Sequence, residues 1–247
     1  MTENNAAIVL AAGQGKRMNS SVQKQFLEIG GKPVLYYSLK CFEESPLISE
    51  IVVVTGAEQV GYVQHEIVDK FGFRKVRSVV PGGKERYDSV YEGLKAVESR
   101  GIVFIHDGAR PFISEKILER CYTEVQVTGA CITAVPSKDT VKLDDGNGAV
   151  SETPDRSRVW IIQTPQVFRY SLILGAHEKI RKEGTEGITD DAMIIESVTD
   201  IPVRFAMGDY RNIKITTPED LLIAEAFASE QSRRGCEKNN GNCKNKC

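Results

Sequence analysis

The chain has 247 residues, 27% of them charged, and its 32 basic and 34 acidic side chains leave a net charge of −2. That length accommodates one substantial α/β domain, and the near-balanced charge argues against a broad basic surface for nucleic acid. No run approaches the roughly 18 apolar residues of a membrane span, and residues 1–5 carry no signal-peptide pattern, so no membrane contact and a cytoplasmic location are expected.

Residues 6–12 form a continuous apolar run, the pattern of a buried strand. The run breaks at Gly13 and Gly15, where a backbone without Cβ turns sharply and approaches a ligand closely. Lys16, Arg17 and Lys24 follow. Strand, glycine loop and clustered cations describe a polyphosphate site: backbone N–H groups donate to phosphate oxygens and the cations offset their charge. Neither familiar phosphate loop fits. A dinucleotide fingerprint needs a third glycine where Met18 stands, and a P-loop needs Ser or Thr where Arg17 stands.

Pro33 suits the first turn of a helix running to about residue 43. Beyond it, β-rich runs at 51–55, 76–80, 102–106 and 130–135 alternate with helical apolar spacing at 59–71, 85–99 and 114–127. The alternation predicts an α/β fold with a Rossmann-like, doubly wound, mostly parallel sheet flanked by helices. Ligands then gather past the strand ends, where Gly13, Gly83 and Asp107 all fall. From 137 to 159 the rhythm changes. Alternating residues flank Asp144-Asp145-Gly146-Asn147-Gly148, a hairpin signal with too few apolar residues for its own core. This protruding arm either docks on something or lies on the surface. Thr217 and Pro218 open a closing helix to about residue 230, ending a domain of residues 1–230. Residues 231–247 are polar and carry Cys236, Cys243 and Cys247 without C-x-x-C spacing, so a disordered tail is expected. Cys41, Cys121 and Cys131 sit in apolar or helical patterns and read as small hydrophobes.

The string Leu-Ala-Ala-Gly-Gln-Gly-Lys-Arg-Met (10–18), followed by Lys24-Gln25-Phe26-Leu27, resembles the signature of the sugar-nucleotide pyrophosphorylase superfamily of nucleotidyltransferases. Blocks at 82–90, 106–112, 138–142, 164–168, 188–191 and 212–216 occur in the order seen in the 2-C-methyl-D-erythritol 4-phosphate cytidylyltransferase family, and the resemblance spans about residues 5–230. One departure is Gln23, where that family often has proline before the lysine. The resemblance implies transfer of the cytidylyl group from CTP to a polyol phosphate, with Mg²⁺ as divalent cation. It also implies a homodimer that exchanges the hairpin arm.

The same resemblance places CTP on Ala11, Ala12, Gly13, Gly15, Arg17 and Lys24; the compact, flexible ammonium of Lys24 suits the α-phosphate and the planar fork of Arg17 the β- and γ-oxygens. It makes Gly83 and Ser89 base-reading positions, which by pattern alone are a turn and a helix start. Asp107, Arg110 and Thr140 go to the acceptor, and Asp107 either binds metal or bonds a substrate hydroxyl. Arg156, Thr164, Thr189 and Lys214 complete the set; Lys214 reads equally as a solvent-facing strand residue, and Thr189-Asp190-Asp191 equally as a helix cap. His106 closes an apolar strand and is expected to be structural. Two other readings share the scaffold: a pentitol-phosphate (ribitol 5-phosphate) cytidylyltransferase and a non-catalytic nucleotide sensor.

Overall fold

The computed structural model describes residues 4–13, 23–184 and 187–241, with backbone only for 231–241. In chain order it runs β1 (Ala6–Ala11), β2 (Glu28–Ile29), β3 (Lys32–Pro33), α1 (Val34–Glu44) and β4 (Glu50–Thr55), then α2 (Val60–Tyr62), which continues as a π-helical stretch (Val63–Asp69). β5 (Val76–Pro81), α3 (Arg86–Ala96), β6 (Ile102–Asp107), α4 (Glu115–Thr128) and β7 (Ala130–Pro136) follow. The chain ends with β8 (Leu143–Asp144), β9 (Val150–Glu152), β10 (Trp160–Arg169), α5 (Tyr170–Glu183), α6 (Asp191–Val198), β11 (Arg204–Met207) and α7 (Pro218–Gly241).

Seven strands form one sheet in the order β11-β7-β10-β6-β1-β4-β5. β1 pairs parallel with β4 and β6, β4 with β5, and β7 with β11, while β10 runs antiparallel between β6 and β7. Period-2 alternation of apolar residues explains why both faces are covered. Ala7, Val9 and Ala11 of β1 point into one core with Leu35, Leu39 and Phe42 of α1 and Ile117, Leu118 and Cys121 of α4. Ala6 and Ile8 point into the other, with Val90 and Leu94 of α3, Ile173 of α5 and Ile194 of α6. A third cluster seats α7 on Ile29, Val34, Phe112 and Ile215.

This is the mostly parallel, helix-flanked sheet expected, and the predicted strands at 51–55, 76–80, 102–106 and 130–135 fall on β4, β5, β6 and β7. The arm is a separate two-stranded ribbon of β8 and β9, shorter than its alternating pattern extends. Its turn is closed by Asp144, whose Oδ1 accepts from the N–H groups of Gly146 and Gly148, both of which adopt φ near +87°. The helix α7 carries past residue 230 to Gly241, into the segment expected to be a tail; Cys243 and Cys247 lie outside the described residues. Cys121 and Cys131 are buried, and burial pushes the half-buried Cys41 thiol up to about 12. No helix among the described residues is long and apolar enough to cross a membrane.

Candidate active site

The ends of β1, β5 and β6 open onto one cleft of about 670 Å³, within the ~300–1,000 Å³ usual for small-molecule sites. β1 delivers Ala12 and Gly13 to its wall; Ala11 is buried one residue earlier, and Gly15 and Arg17 lie outside the described residues. Lys24 lines the cleft from a single 3-10 turn (Lys24–Phe26). That turn is held by the next two side chains. Buried Gln25 donates from Nε2 to the carbonyls of Ala11 and Gly13, and Phe26 packs edge-on to Tyr62 with ring centroids 5.1 Å apart. Gln25 thus ties the lysine to the glycine loop, a positioning role the sequence reading did not assign.

β5 leads into Gly82 and Gly83, and the loop is fastened to the first turn of α3. The Gly83 N–H donates to Ser89 Oγ at 3.2 Å, and that hydroxyl donates onward to the Glu85 carbonyl at 3.2 Å. Glu85 and Asp88 form a capping box. A Cβ on Gly83 would stand 2.2 Å from Asp88 Cβ, so the close approach admits only glycine. Ser89 lines the cleft but is only 4% exposed, and its hydroxyl is already engaged. The geometry makes Ser89 a holder of the Gly83 loop first.

Asp107, at the end of β6, is the electrostatic centre. Its backbone N–H donates to Thr164 Oγ1 at 3.0 Å. Lys214 Nζ stands 2.7 Å from Oδ2, Arg86 Nε 3.6 Å from Oδ1, and Arg110 Nε 3.9 Å from Oδ2. Burial alone raises an aspartate pKa, but Lys214, then Arg86 and Arg110 outweigh it and hold this carboxyl well below the usual range. Lys214 reaches the cleft from an irregular segment rather than a strand; Ile215 beside it is fully buried, as the apolar alternation implied. Arg110 is committed elsewhere. Its Nη1 donates to the Asn212 carbonyl at 2.8 Å, its Nη2 lies 3.5 Å from the Ile162 carbonyl, and burial lowers its pKa. Thr164 is buried beneath Asp107 and shares a 3.0 Å hydrogen bond with His106 Nδ1. Burial lowers His106 to about 4, so it is neutral and structural, as expected.

Three expected site residues stand apart from the cleft wall in the single chain. Thr140 and Arg156 are exposed at the base of the arm, where Arg156 Nη1 lies 3.5 Å from the Lys138 carbonyl. Thr189 is exposed just ahead of α6 and donates to Met193 Sδ at 2.9 Å. Behind it Asp190 caps α6, its Oδ1 accepting from the Met193 N–H. No group of three or more His, Cys, Asp or Glu side chains suited to a metal occurs among the described residues. The cation missed by the sequence reading is Arg86, which lines the cleft beside Asp107. A basic residue opening a helix opposes the helix dipole, and the carboxylate that answers it here, Asp191, stands far away in sequence.

The family model described as IspD, 2-C-methyl-D-erythritol 4-phosphate cytidylyltransferase, matches residues 5–230. A protein of that name from Lachnoclostridium phytofermentans is 50% identical over 228 residues, covering 92% of this chain and 97% of its own. One from Geobacter metallireducens is 46% identical over 229 residues, covering 91% and 97%. Among solved structures, the 4-diphosphocytidyl-2C-methyl-D-erythritol synthase of Anaerococcus prevotii superposes with a TM-score of 0.81 at 36% identity, covering 92% of this chain and 97% of that one. The family match over residues 5–230 and the 50% identity over nearly the whole chain show that it belongs to the 2-C-methyl-D-erythritol 4-phosphate cytidylyltransferase family.

Proposed function

We infer that this chain transfers the cytidylyl group of CTP to 2-C-methyl-D-erythritol 4-phosphate, releasing pyrophosphate, a step of non-mevalonate isoprenoid biosynthesis carried out in the cytoplasm. The observation that carries the reading is one cleft holding both the β1 loop with Lys24 and the Asp107–Lys214 pair. A phosphate monoester, with second pKa near ~6, is largely dianionic at pH 7. Its oxygen attacks the α-phosphorus of CTP, the bond from that phosphorus to the bridging oxygen breaks, and pyrophosphate leaves. No general base is needed, and buried, neutral His106 is not one. What the protein must supply is positive charge and alignment.

Lys24 follows the α-phosphate as its charge rises, and Arg17 takes the β- and γ-oxygens of the leaving group. Ala11, Ala12, Gly13 and Gly15 are assigned to the triphosphate, and the Gly83 loop, braced by Ser89, meets the cytosine edge. Lys214 meets the acceptor phosphate. Asp107 holds Lys214 in place, with Arg110 3.9 Å from the same carboxylate oxygen and Thr164 accepting from the Asp107 backbone N–H. Thr189, exposed ahead of α6, is assigned to the acceptor. Asp107 is the carboxylate of the cleft that would hold Mg²⁺, sharing its oxygens with Lys214 and Arg86, and the ion would there offset triphosphate charge.

A homodimer explains Thr140 and Arg156, which the arm of a second copy would bring to the cleft. Support comes from exposed apolar side chains, Leu143 and Val150 on the arm and Ile161, Phe205 and Met207 on β10 and β11. The test is Mg²⁺-dependent pyrophosphate release from CTP with either 2-C-methyl-D-erythritol 4-phosphate or ribitol 5-phosphate. Release with the first alone is expected. Release with ribitol 5-phosphate alone overturns the acceptor, and CTP binding with no release for either points to a sensor.

A further inference from the structure

Behind the cleft lies a buried charge chain that the carried-over residue set leaves out. Arg86 Nη2 donates to Asp191 Oδ2 at 2.8 Å, while its Nε stands 3.6 Å from Asp107 Oδ1. Arg86 and Lys214 therefore straddle the two oxygens of the Asp107 carboxylate, and both line the cleft. Asp191 is fully buried, and its Oδ1 accepts no hydrogen bond. The nearest charged or titratable group on that side is His177 Nε2 at 4.0 Å, itself fully buried with both ring nitrogens unpartnered.

We propose that Asp191 is a positioning residue: it aims the Arg86 guanidinium beside Asp107, where Arg86 serves with Lys214 as a fixed cation for the acceptor phosphate. The proposal rests on the cytidylyltransferase reading above. Two observations separate it from a brace between helices. First, the start of α6 is secured without the Asp191 side chain. Gln166 Oε1 accepts from the N–H groups of Asp191 and Ala192, Gln166 Nε2 donates to Asp190 Oδ2, and Asp190 caps the helix. Second, a buried carboxylate with one oxygen unsatisfied is costly, and packed apolar side chains would join α3 to α6 at less expense. Arg86 also opens α3, where the helix dipole disfavours a cation. A carboxylate on each side, Asp191 and Asp107, overcomes both burial and dipole and keeps the guanidinium charged.

Steady-state kinetics of Asp191→Asn, Arg86→Gln and the double variant test this, with thermal melting alongside. Losing the aimed contact is expected to lower kcat/KM for the acceptor by roughly 10- to 100-fold, the size of one hydrogen bond to a charged group. The KM for CTP should stay within about threefold, and the double variant should be no worse than Arg86→Gln because the two act as one unit. Should Asp191→Asn not fold, Arg86→Lys at the half-exposed end keeps the charge but loses the fork, and the same acceptor-side loss is expected. An acceptor kcat/KM within about threefold of wild type, multiplicative losses, or a defect in CTP binding alone would each overturn the proposal. If the wild-type protein uses a different polyol phosphate, the functional reading fails by itself, and the same variants are then measured with that acceptor.

Discussion

Asp107 shows how one residue gathers a site. Lys214, Arg86 and Arg110 are distant from one another in sequence, yet all three stand within 4.0 Å of its two oxygens. Lys24 lines the same cleft and is the cation proposed for CTP. Lys24→Ala is expected to cost about 10²–10³ in kcat, the scale of one lost transition-state contact, with melting temperature nearly unchanged; wild-type turnover in that variant would remove Lys24 from the mechanism. The buried histidines make a second expectation. Burial lowers both His106 and His177 to about 4, with nearby Asp191 pulling His177 up and Arg181 and Arg86 pushing it down. An unfolded histidine takes its proton near pH 6.5. Between about pH 6.5 and 4 the unfolded chain therefore binds more protons than the folded one, and stability falls as pH falls through that window. Melting temperatures across it should drop less steeply for His177→Phe than for wild type. An equal slope would mean His177 is protonated in the fold. Asp107, depressed below the usual aspartate range, adds its own loss only at lower pH.

At the scale of elements, the site is made where strands stop. The Gly83 loop works only because it lies flat on the first turn of α3, so Gly83→Ala must push the loop off Asp88. That strain is about 1–3 kcal/mol and should weaken CTP binding by roughly ten- to a hundredfold; unchanged CTP affinity by calorimetry would argue that the loop does not meet the base. Elements with strong periodicity were legible in the sequence, among them β1, β4, β6, α3 and α4. β10 was not, because Gln163, Thr164, Pro165 and Gln166 break its apolar pattern and proline argues against an interior strand. Those polar residues are there for the site. Thr164 holds Asp107, and Gln166 holds the start of α6. Arg86 was hidden for a related reason: its partner Asp191 lies 105 residues away, and no local pattern announces such a pair.

For the whole molecule, the doubly wound sheet places the β1 loop, proposed for CTP, next to Asp107 of β6, proposed for the acceptor side, because those strands are neighbours in the parallel order. The arm lies outside this scheme, and its residues Thr140 and Arg156 do not reach their own cleft wall. If a second copy supplies them, mixing inactive Lys24→Ala with inactive Arg156→Ala restores activity, since each mixed dimer regains one intact site. Statistical pairing sets the recovery at about a quarter of wild type. No recovery after subunit exchange would mean that each chain completes its own site.

The most direct measurement follows the phosphorus atoms of the reaction by NMR, with CTP, 2-C-methyl-D-erythritol 4-phosphate, Mg²⁺ and the purified protein. The account requires the acceptor's monoester signal and the three CTP signals to decline together, replaced by a diphosphate diester and free pyrophosphate in equal amounts. A monoester signal that persists while CTP is consumed, or CTP that stays intact, would contradict it.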